Sequence, residues 1–211
     1  MSSPRRVRVI GAGGHAKVVI ATLRAAGYDV DGIFDDDPSK LGEAVLGVSV
    51  LGTVSDAVRG DPLPVVIALG DNSTRKRVAD QLTDQLRSPW LTVAHPSVEL
   101  DPSVQLGPGT VVFAGAIIQP DTVIGAHGIV NTGATIDHDC LLGDYVHIAP
   151  GVHLAGGVRL SEGVFLGVGT SAVPGVSVEG WTRVGAGAAI VDDLPGGVVA
   201  FGIPARPKEE P

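Results

Sequence analysis

The sequence predicts an α/β domain followed by an all-β parallel β-helix. Three observations predict it: a six-residue beat that runs unbroken from Val98 to Asp193, a strand–glycine turn–helix opening over residues 7–27, and a glycine-rich, aromatic-poor composition. Among 211 residues there are 30 glycines and only 4% aromatics, as a glycine-turned solenoid requires. The length suits one or two domains.

Written in sixes, residues 98–193 carry Val, Ile or Leu at the third place of every six except at Ala172. The first place is small or β-branched, mostly Val, Thr or Ala. A period of six belongs to neither a helix nor an ordinary sheet. In a parallel β-helix each six makes one flat face, and three faces complete a coil. Residues eighteen apart should then stack in three internal columns. The first is Leu100, Ile118, Ile136, Leu154, Ala172 and Ile190; the second Leu106, Ile124, Leu142, Leu160 and Val178; the third Val112, Val130, Ile148, Leu166 and Val184. About five coils, each about 4.8 Å from the next, make a prism on the order of 25 Å tall. Gly107, Gly125, Gly143, Gly167 and Gly185 read as corner residues that ease tight turns. The frame has no long insertion, so no large loop should leave the prism.

In front of the repeat, residues 7–10 read as a buried strand, GAGGHAK as a turn and residues 18–27 as a helix with apolar spacing. Residues 30–34 form a second strand running into Asp35, Asp36 and Asp37; PVVIALG forms a third, and residues 73–86 a helix capped by Ser73 or Asn72. This order makes a small Rossmann-like unit. Its glycine turn sets backbone N–H groups at a helix N-terminus, where anions bind. Ala16 stands where a dinucleotide fingerprint has its third glycine, a permitted exchange. The unit is about half a full dinucleotide domain, and a β-helix offers no hydride-transfer pocket, which speaks against redox chemistry. Glycines serving only a tight turn, and the Asp run only a solvated loop, are the plainer alternatives. The beat takes over after Trp90. The domains are therefore expected at 1–92 and 93–211, with His95 a junction residue without chemistry.

Net charge −8 and a pI near 5.1 predict no basic groove for nucleic acid. No apolar run is long enough for a membrane span. The opening MSSPRRVRVI lacks a signal-peptide core, and a single Cys140 excludes an internal disulfide framework. A cytoplasmic location is expected.

Four histidines lie in the repeat: His127, His138, His147 and His153. None takes an inward place, so all should project from corners or outer surfaces. His138 sits between Asp137 and Asp139. A neighbouring carboxylate orients an imidazole and raises its basicity, which suits a general base. His147 and His153 are six apart, on successive faces, too far apart to share an ion within a subunit, and no metal is expected. Cys140 takes the first place of its six and reads as packing.

GAGGHAK, FDDD, ALGDNSTRKR, NTGATIDHDC, the hexapeptide run and the closing FGIPARP together resemble one family. It is the sugar acyltransferases of the left-handed β-helix superfamily, the sialic-acid O-acetyltransferase-like group. Within it the chain is similar to N-acetyltransferases of nucleotide-linked 4-amino-4,6-dideoxy sugars, of the UDP-bacillosamine-pathway and GDP-perosamine type. The resemblance spans nearly the whole chain. It implies a left-handed coil, a homotrimer with active sites between prisms, and acetyl-CoA as co-substrate. By the same resemblance His138 matches the catalytic base and Asp139 the acidic residue beside it, which is often Glu. His147 matches a histidine near the thioester, and Gly156, Val168 and Ala186 match the CoA groove. Gly13, Gly14 and His15 match the nucleotide-sugar turn, with Asp35, Asp36 and Gly70 lining its pocket. The expected reaction is direct acetyl transfer to the C4 amine of a UDP- or GDP-linked sugar. O-acetylation of a sugar such as sialic acid, and a non-catalytic nucleotide-sugar-binding solenoid, are the alternatives.

Overall fold

The structure, a computed structural model, describes residues 5–208. The first four residues of the opening segment and the last three of the closing tail lie outside the described residues. Strands β1 (Arg5–Ile10), β2 (Tyr28–Phe34), β3 (Ala44–Val45), β4 (Val48–Gly52) and β5 (Val65–Ile67) form one sheet in the order β3-β4-β2-β1-β5. β1 runs parallel to β2 and β5, and only the β3–β4 pair is antiparallel. Val7, Val9, Ile10 and all of β5 are buried, the continuous apolar reading of strands covered on both faces.

Helix α1 (Gly14–Ala25) buries Ala16, Val19, Ile20 and Leu23, the i, i+3, i+4, i+7 stripe of a core-facing helix. It starts at Gly14, ahead of its apolar run, because Gly13 already serves as its cap. Helix α2 (Asn72–Thr83) is capped by Asp71, not by Asn72 or Ser73. The Asp71 carboxylate accepts the Thr74 N–H at 2.8 Å and the Ser73 hydroxyl at 2.7 Å. Asn72 is needed elsewhere, as shown below.

The prism is a left-handed parallel β-helix built from two-residue strands in three sheets. Pairing steps by eighteen residues: Ile117 meets Thr135, and Ile118 meets Ile136. The three expected columns therefore each line one sheet. Every inward residue from Val112 to Ile190 is buried, whereas Leu100, on the first coil, is 38% exposed. The first, second and third faces are named here after the Leu100, Leu106 and Val112 columns. The third face is the longest, extended by Val93–Ala94 at one end and Val199–Phe201 at the other.

The corner glycines work differently from the expectation. Gly107, Gly125, Gly143, Gly167 and Gly185 lack the left-handed conformation. They are glycine because coils press together: a Cβ on Gly143 would lie 2.7 Å from the Glu162 nitrogen, and one on Gly167 2.6 Å from that of Ala186. The sharp bend comes two residues later. The last place of every six from Gly109 to Gly187 is left-handed, with φ between 53° and 75°. Asp121, His127, Asp139, Tyr145 and Trp181 hold that conformation despite their side chains, at a cost of roughly 1–2 kcal/mol each.

That bend docks the front domain. At the corner between the second and third faces, the N–H groups of Tyr145, Gly163 and Trp181 bond to the carbonyls of Ala126, Asp144 and Glu162 one coil below. The carbonyls of His127, Tyr145 and Gly163 are left for an outside partner. Helix α2 supplies it. Arg75 donates from Nε to the His127 carbonyl and from Nη2 to the Tyr145 carbonyl, both at 2.8 Å. Asn72 Nδ2 reaches the Gly163 carbonyl at 2.9 Å. Arg75 is only 1% exposed, and burial pulls its pKa down to about 10, so it remains charged. Above the polar ladder His127 stacks parallel to Tyr145 at 5.3 Å and meets Trp90 edge-on at 4.8 Å. Val93, Val111, Phe113 and Ile129 of the prism share a core with Ala16, Val19 and Ile20 of α1.

Candidate active site

Ten of the twelve predicted residues form two groups, and Val168 and Ala186 lie apart from both. The first lies at the carboxyl ends of β1, β2 and β5, where open α/β sheets hold ligands. Gly11 follows β1 with φ 99°, and a Cβ there would strike Leu69 Cδ2 at 2.7 Å, so this turn admits only glycine. Gly13 and Gly14 are different. A Cβ on either would meet nothing within 4 Å, so open space lies above the N-terminus of α1. No side chain caps that terminus, the kind of helix end where anions bind.

Asp35 accepts the Ala12 N–H at 2.7 Å, the Asp37 N–H at 3.0 Å and the Lys40 ammonium at 3.0 Å. Burial opposes its charge, but those donors outweigh it and hold the carboxyl below its ordinary value. Asp36 accepts the Val54 N–H at 2.9 Å. Both carboxylates thus shape the loop and line a cavity of about 130 Å³ shared with Gly11, Leu69, Thr74 and Arg77.

The Gly70 carbonyl accepts a hydrogen bond from His147 Nδ1 at 2.9 Å. A carbonyl only accepts, so Nδ1 carries the proton and Nε2 the lone pair. The Asn131 amide faces that lone pair at 3.4 Å. Burial brings His147 down to about 4, and His15, 6.1 Å away between ring centroids, likewise. Both are neutral at physiological pH. The His15 Nε2 has no partner among the described residues. His15, Gly70 and His147 therefore share one seam between the front domain and the third face. All four histidines project from the prism's corners or outer surfaces, as expected, but two of them are buried. His127 is 4% exposed and His147 8%, because the docked domain closes over them. His153 does stand exposed on the first face, bonded to Thr135 at 2.8 Å.

The second group is at the corner between the first and second faces. The His138 side chain is 60% exposed, and its Nδ1 lies 2.7 Å from Asp139 Oδ2. That hydrogen bond, then the charge of Asp137, raises the imidazole above its ordinary value. Nε2 is left open to solvent as the basic atom. Asp139 is left-handed, φ 58°. The ring rests over Gly156 of the next coil: a Cβ on Gly156 would lie 2.6 Å from Cε1 and 2.7 Å from Nε2. The Gly156 N–H donates to no acceptor among the described residues. Cys140 is buried, bonds the Ala155 carbonyl at 3.3 Å, and burial raises its pKa, so it stays a thiol.

Val168, 56% exposed, and Ala186 lie one coil apart at the corner between the third and first faces. A single chain thus brings His15, Gly70 and His147 together. It sets His138 and Gly156 at the corner across the prism from the docked third face. Phe165, edge-on to His147 at 5.1 Å, and Arg183, over Phe165 at 4.8 Å, join the seam without having been read from the sequence. Arg75 and Asn72 were inside a motif, but helical spacing does not reveal that they reach prism carbonyls. Among the described residues no group of three or more His, Cys, Asp or Glu is arranged to hold a metal ion. No helix among them is long and apolar enough to cross a membrane.

Residues 6–82 match the family model of the PglD N-terminal domain. The chain is 45% identical to PerB from Caulobacter crescentus, solved in complex with CoA and GDP-perosamine; the match covers 96% of this chain and 97% of that one, with a TM-score of 0.90. It is 36% identical to the acetyltransferase domain of PglB from Neisseria gonorrhoeae in complex with acetyl coenzyme A, covering 98% and 100% with a TM-score of 0.91. Over 73 residues it is also 37% identical to the uncharacterized protein L142 of Acanthamoeba polyphaga mimivirus, a match spanning 14% of that protein's length.

Proposed function

Since the chain belongs to the left-handed β-helix N-acetyltransferases of nucleotide-linked amino sugars, we propose that it transfers the acetyl group of acetyl-CoA to the C4 amine of a UDP- or GDP-linked 4-amino-4,6-dideoxy sugar. The observation that carries this reading is whole-chain likeness, at 45% identity, to a protein held with CoA and GDP-perosamine. The same observation favours GDP as the carrier.

His138 Nε2 takes a proton from the sugar amine as its nitrogen attacks the thioester carbonyl. The C–N bond forms, and negative charge gathers on the carbonyl oxygen. The unengaged Gly156 N–H is the donor proposed for that oxygen. The C–S bond then breaks, and the CoA thiolate takes the proton from His138. Asp139 keeps the proton of the resting imidazole on Nδ1, so that Nε2 is the base. No acyl-enzyme is needed, and Cys140, buried and protonated, is in no position to form one. Neutral His147 meets acetyl-CoA near the thioester, with Val168 and Ala186 walling its groove. Gly13, Gly14, His15, Asp35, Asp36 and Gly70 hold the nucleotide sugar.

The two groups lie on opposite sides of one prism. A homotrimer, in which the His138 corner of one prism faces the seam of its neighbour, joins them. Exposed Leu141, beside Val123 and Arg159 on the second face, supports such packing. A cytoplasmic location is supported by the acetyl-CoA requirement.

Thiol release from acetyl-CoA against UDP- and GDP-linked 4-amino sugars and free sialic acid tests the reading. Turnover is expected with a nucleotide-linked amine; turnover with sialic acid alone would overturn it. Asp139→Asn supplies a second check. The base works when deprotonated, so rate rises with pH through its pKa. Removing the carboxylate whose hydrogen bond, more than its charge, raises this pKa should shift the acidic limb of the kcat profile to lower pH and reduce kcat. A limb that stays in place would detach Asp139 from the base.

A further inference from the structure

A row of outward side chains on the third face runs past the front domain: His147, Phe165 and Arg183, one per coil in register. The Arg183 guanidinium lies over the Phe165 ring at 4.8 Å, and Phe165 meets His147 edge-on at 5.1 Å. Arg183 is therefore the outer end of the seam that begins at His15 and Gly70. Two coils separate it from His147, about 10 Å at the usual strand spacing. Its side chain is 55% exposed and donates no hydrogen bond among the described residues. The nearest carboxylate, Asp71 Oδ2, is 4.0 Å away, while the other oxygen of Asp71 caps α2.

Three other cations near the seam are committed. Arg75 serves backbone carbonyls, Lys76 pairs with Asp80, and Lys40 with Asp35. The chain as a whole carries −8. An acidic protein that receives polyanions needs a local cation to offset its field. A guanidinium braced on an aromatic face keeps its planar fork free and oriented, and that fork matches phosphate oxygens in a paired contact.

We propose that Arg183, braced by Phe165, binds a phosphate group of a co-substrate lying along the seam. The assignment rests on the acetyl-transfer reading, in which both co-substrates carry a diphosphate. The test keeps the two sources apart.

Arg183→Gln, Arg183→Lys and Phe165→Leu in the full chain would be compared by steady-state kinetics in both substrates at low and high salt. Arg183→Gln should raise KM for one co-substrate roughly tenfold or more, the worth of a charged hydrogen bond. Its kcat should hold within about twofold, as for binding shared by ground and transition states. Arg183→Lys should recover part of the loss, Phe165→Leu should cause a smaller rise, and Arg183→Gln should flatten the salt dependence of KM. A shift confined to acetyl-CoA assigns the phosphate to CoA; one confined to the sugar assigns it to the nucleotide diphosphate. Unchanged KM for both would overturn the assignment. Calorimetry with CoA, GDP and UDP alone separates it from the parent reading. Weaker binding by Arg183→Gln without any turnover by the unmodified protein would retire acetyl transfer and keep the anion contact.

Discussion

His138→Asn is expected to lower kcat by about 10²–10⁴-fold, the usual worth of a positioned general base, while nucleotide-sugar binding is retained. The side chain is exposed at a prism corner, so melting temperature should stay close to that of the unmodified protein. Gly156→Ala should produce a related loss with the imidazole still present. Its new Cβ would lie 2.6 Å from His138 Cε1 and force the ring from its place. Thiol release measured beside a thermal melt checks both. Near-normal turnover of His138→Asn would remove the base, whatever the fate of Gly156.

Arg75→Met should lower stability by about 3–5 kcal/mol, because several buried acceptors lose their shared donor at once. The guanidinium reaches the carbonyls of His127, Tyr145 and Leu69 and the side-chain oxygen of Asn72 at 2.8 to 3.0 Å. Methionine fills similar space but leaves those acceptors bare, away from water, at about 1–3 kcal/mol for each group not re-solvated. Arg75→Lys keeps the charge but not the fork, and should fall between. Because Arg75 also braces the segment holding Gly70, the Met variant should bind the nucleotide sugar more weakly. Chemical denaturation with far-ultraviolet circular dichroism reads the stability. A midpoint shift worth less than about 1 kcal/mol would mean that apolar packing alone holds the domains together.

The sequence was legible where local chemistry repeats. A six-residue period commits side-chain direction, so the three columns follow from the spacing alone, down to the eighteen-residue pairing of Ile118 with Ile136. His138 was legible for a related reason: its orienting carboxylate is its own neighbour. What escaped was contact between distant segments. Burial of His127 and His147 depends on a domain that docks from elsewhere in the chain. The prism partners of Arg75 and Asn72 are main-chain oxygens, which no residue type announces. The corner glycines were identified correctly as special but for the wrong cause, since coil-to-coil approach and backbone handedness both leave the same letter in the sequence. Asp71 took the cap expected of Asn72 or Ser73 because Asn72 is drawn to the prism.

The ladder of carbonyls at His127, Tyr145 and Gly163 has a consequence for how the two domains find each other. Equivalent rungs follow one another about every 4.8 Å, so main-chain bonding would accept α2 one rung higher or lower almost as well. What does not repeat tells the rungs apart: Trp90 against His127, the Tyr145 ring beside it, the His147 bond to Gly70, and Phe113 in the core shared with α1. A few aromatic side chains thus act as a positional key on an otherwise uniform rail. Their loss would cost less in adhesion than in address, leaving a well-attached domain presenting its cargo at the wrong height.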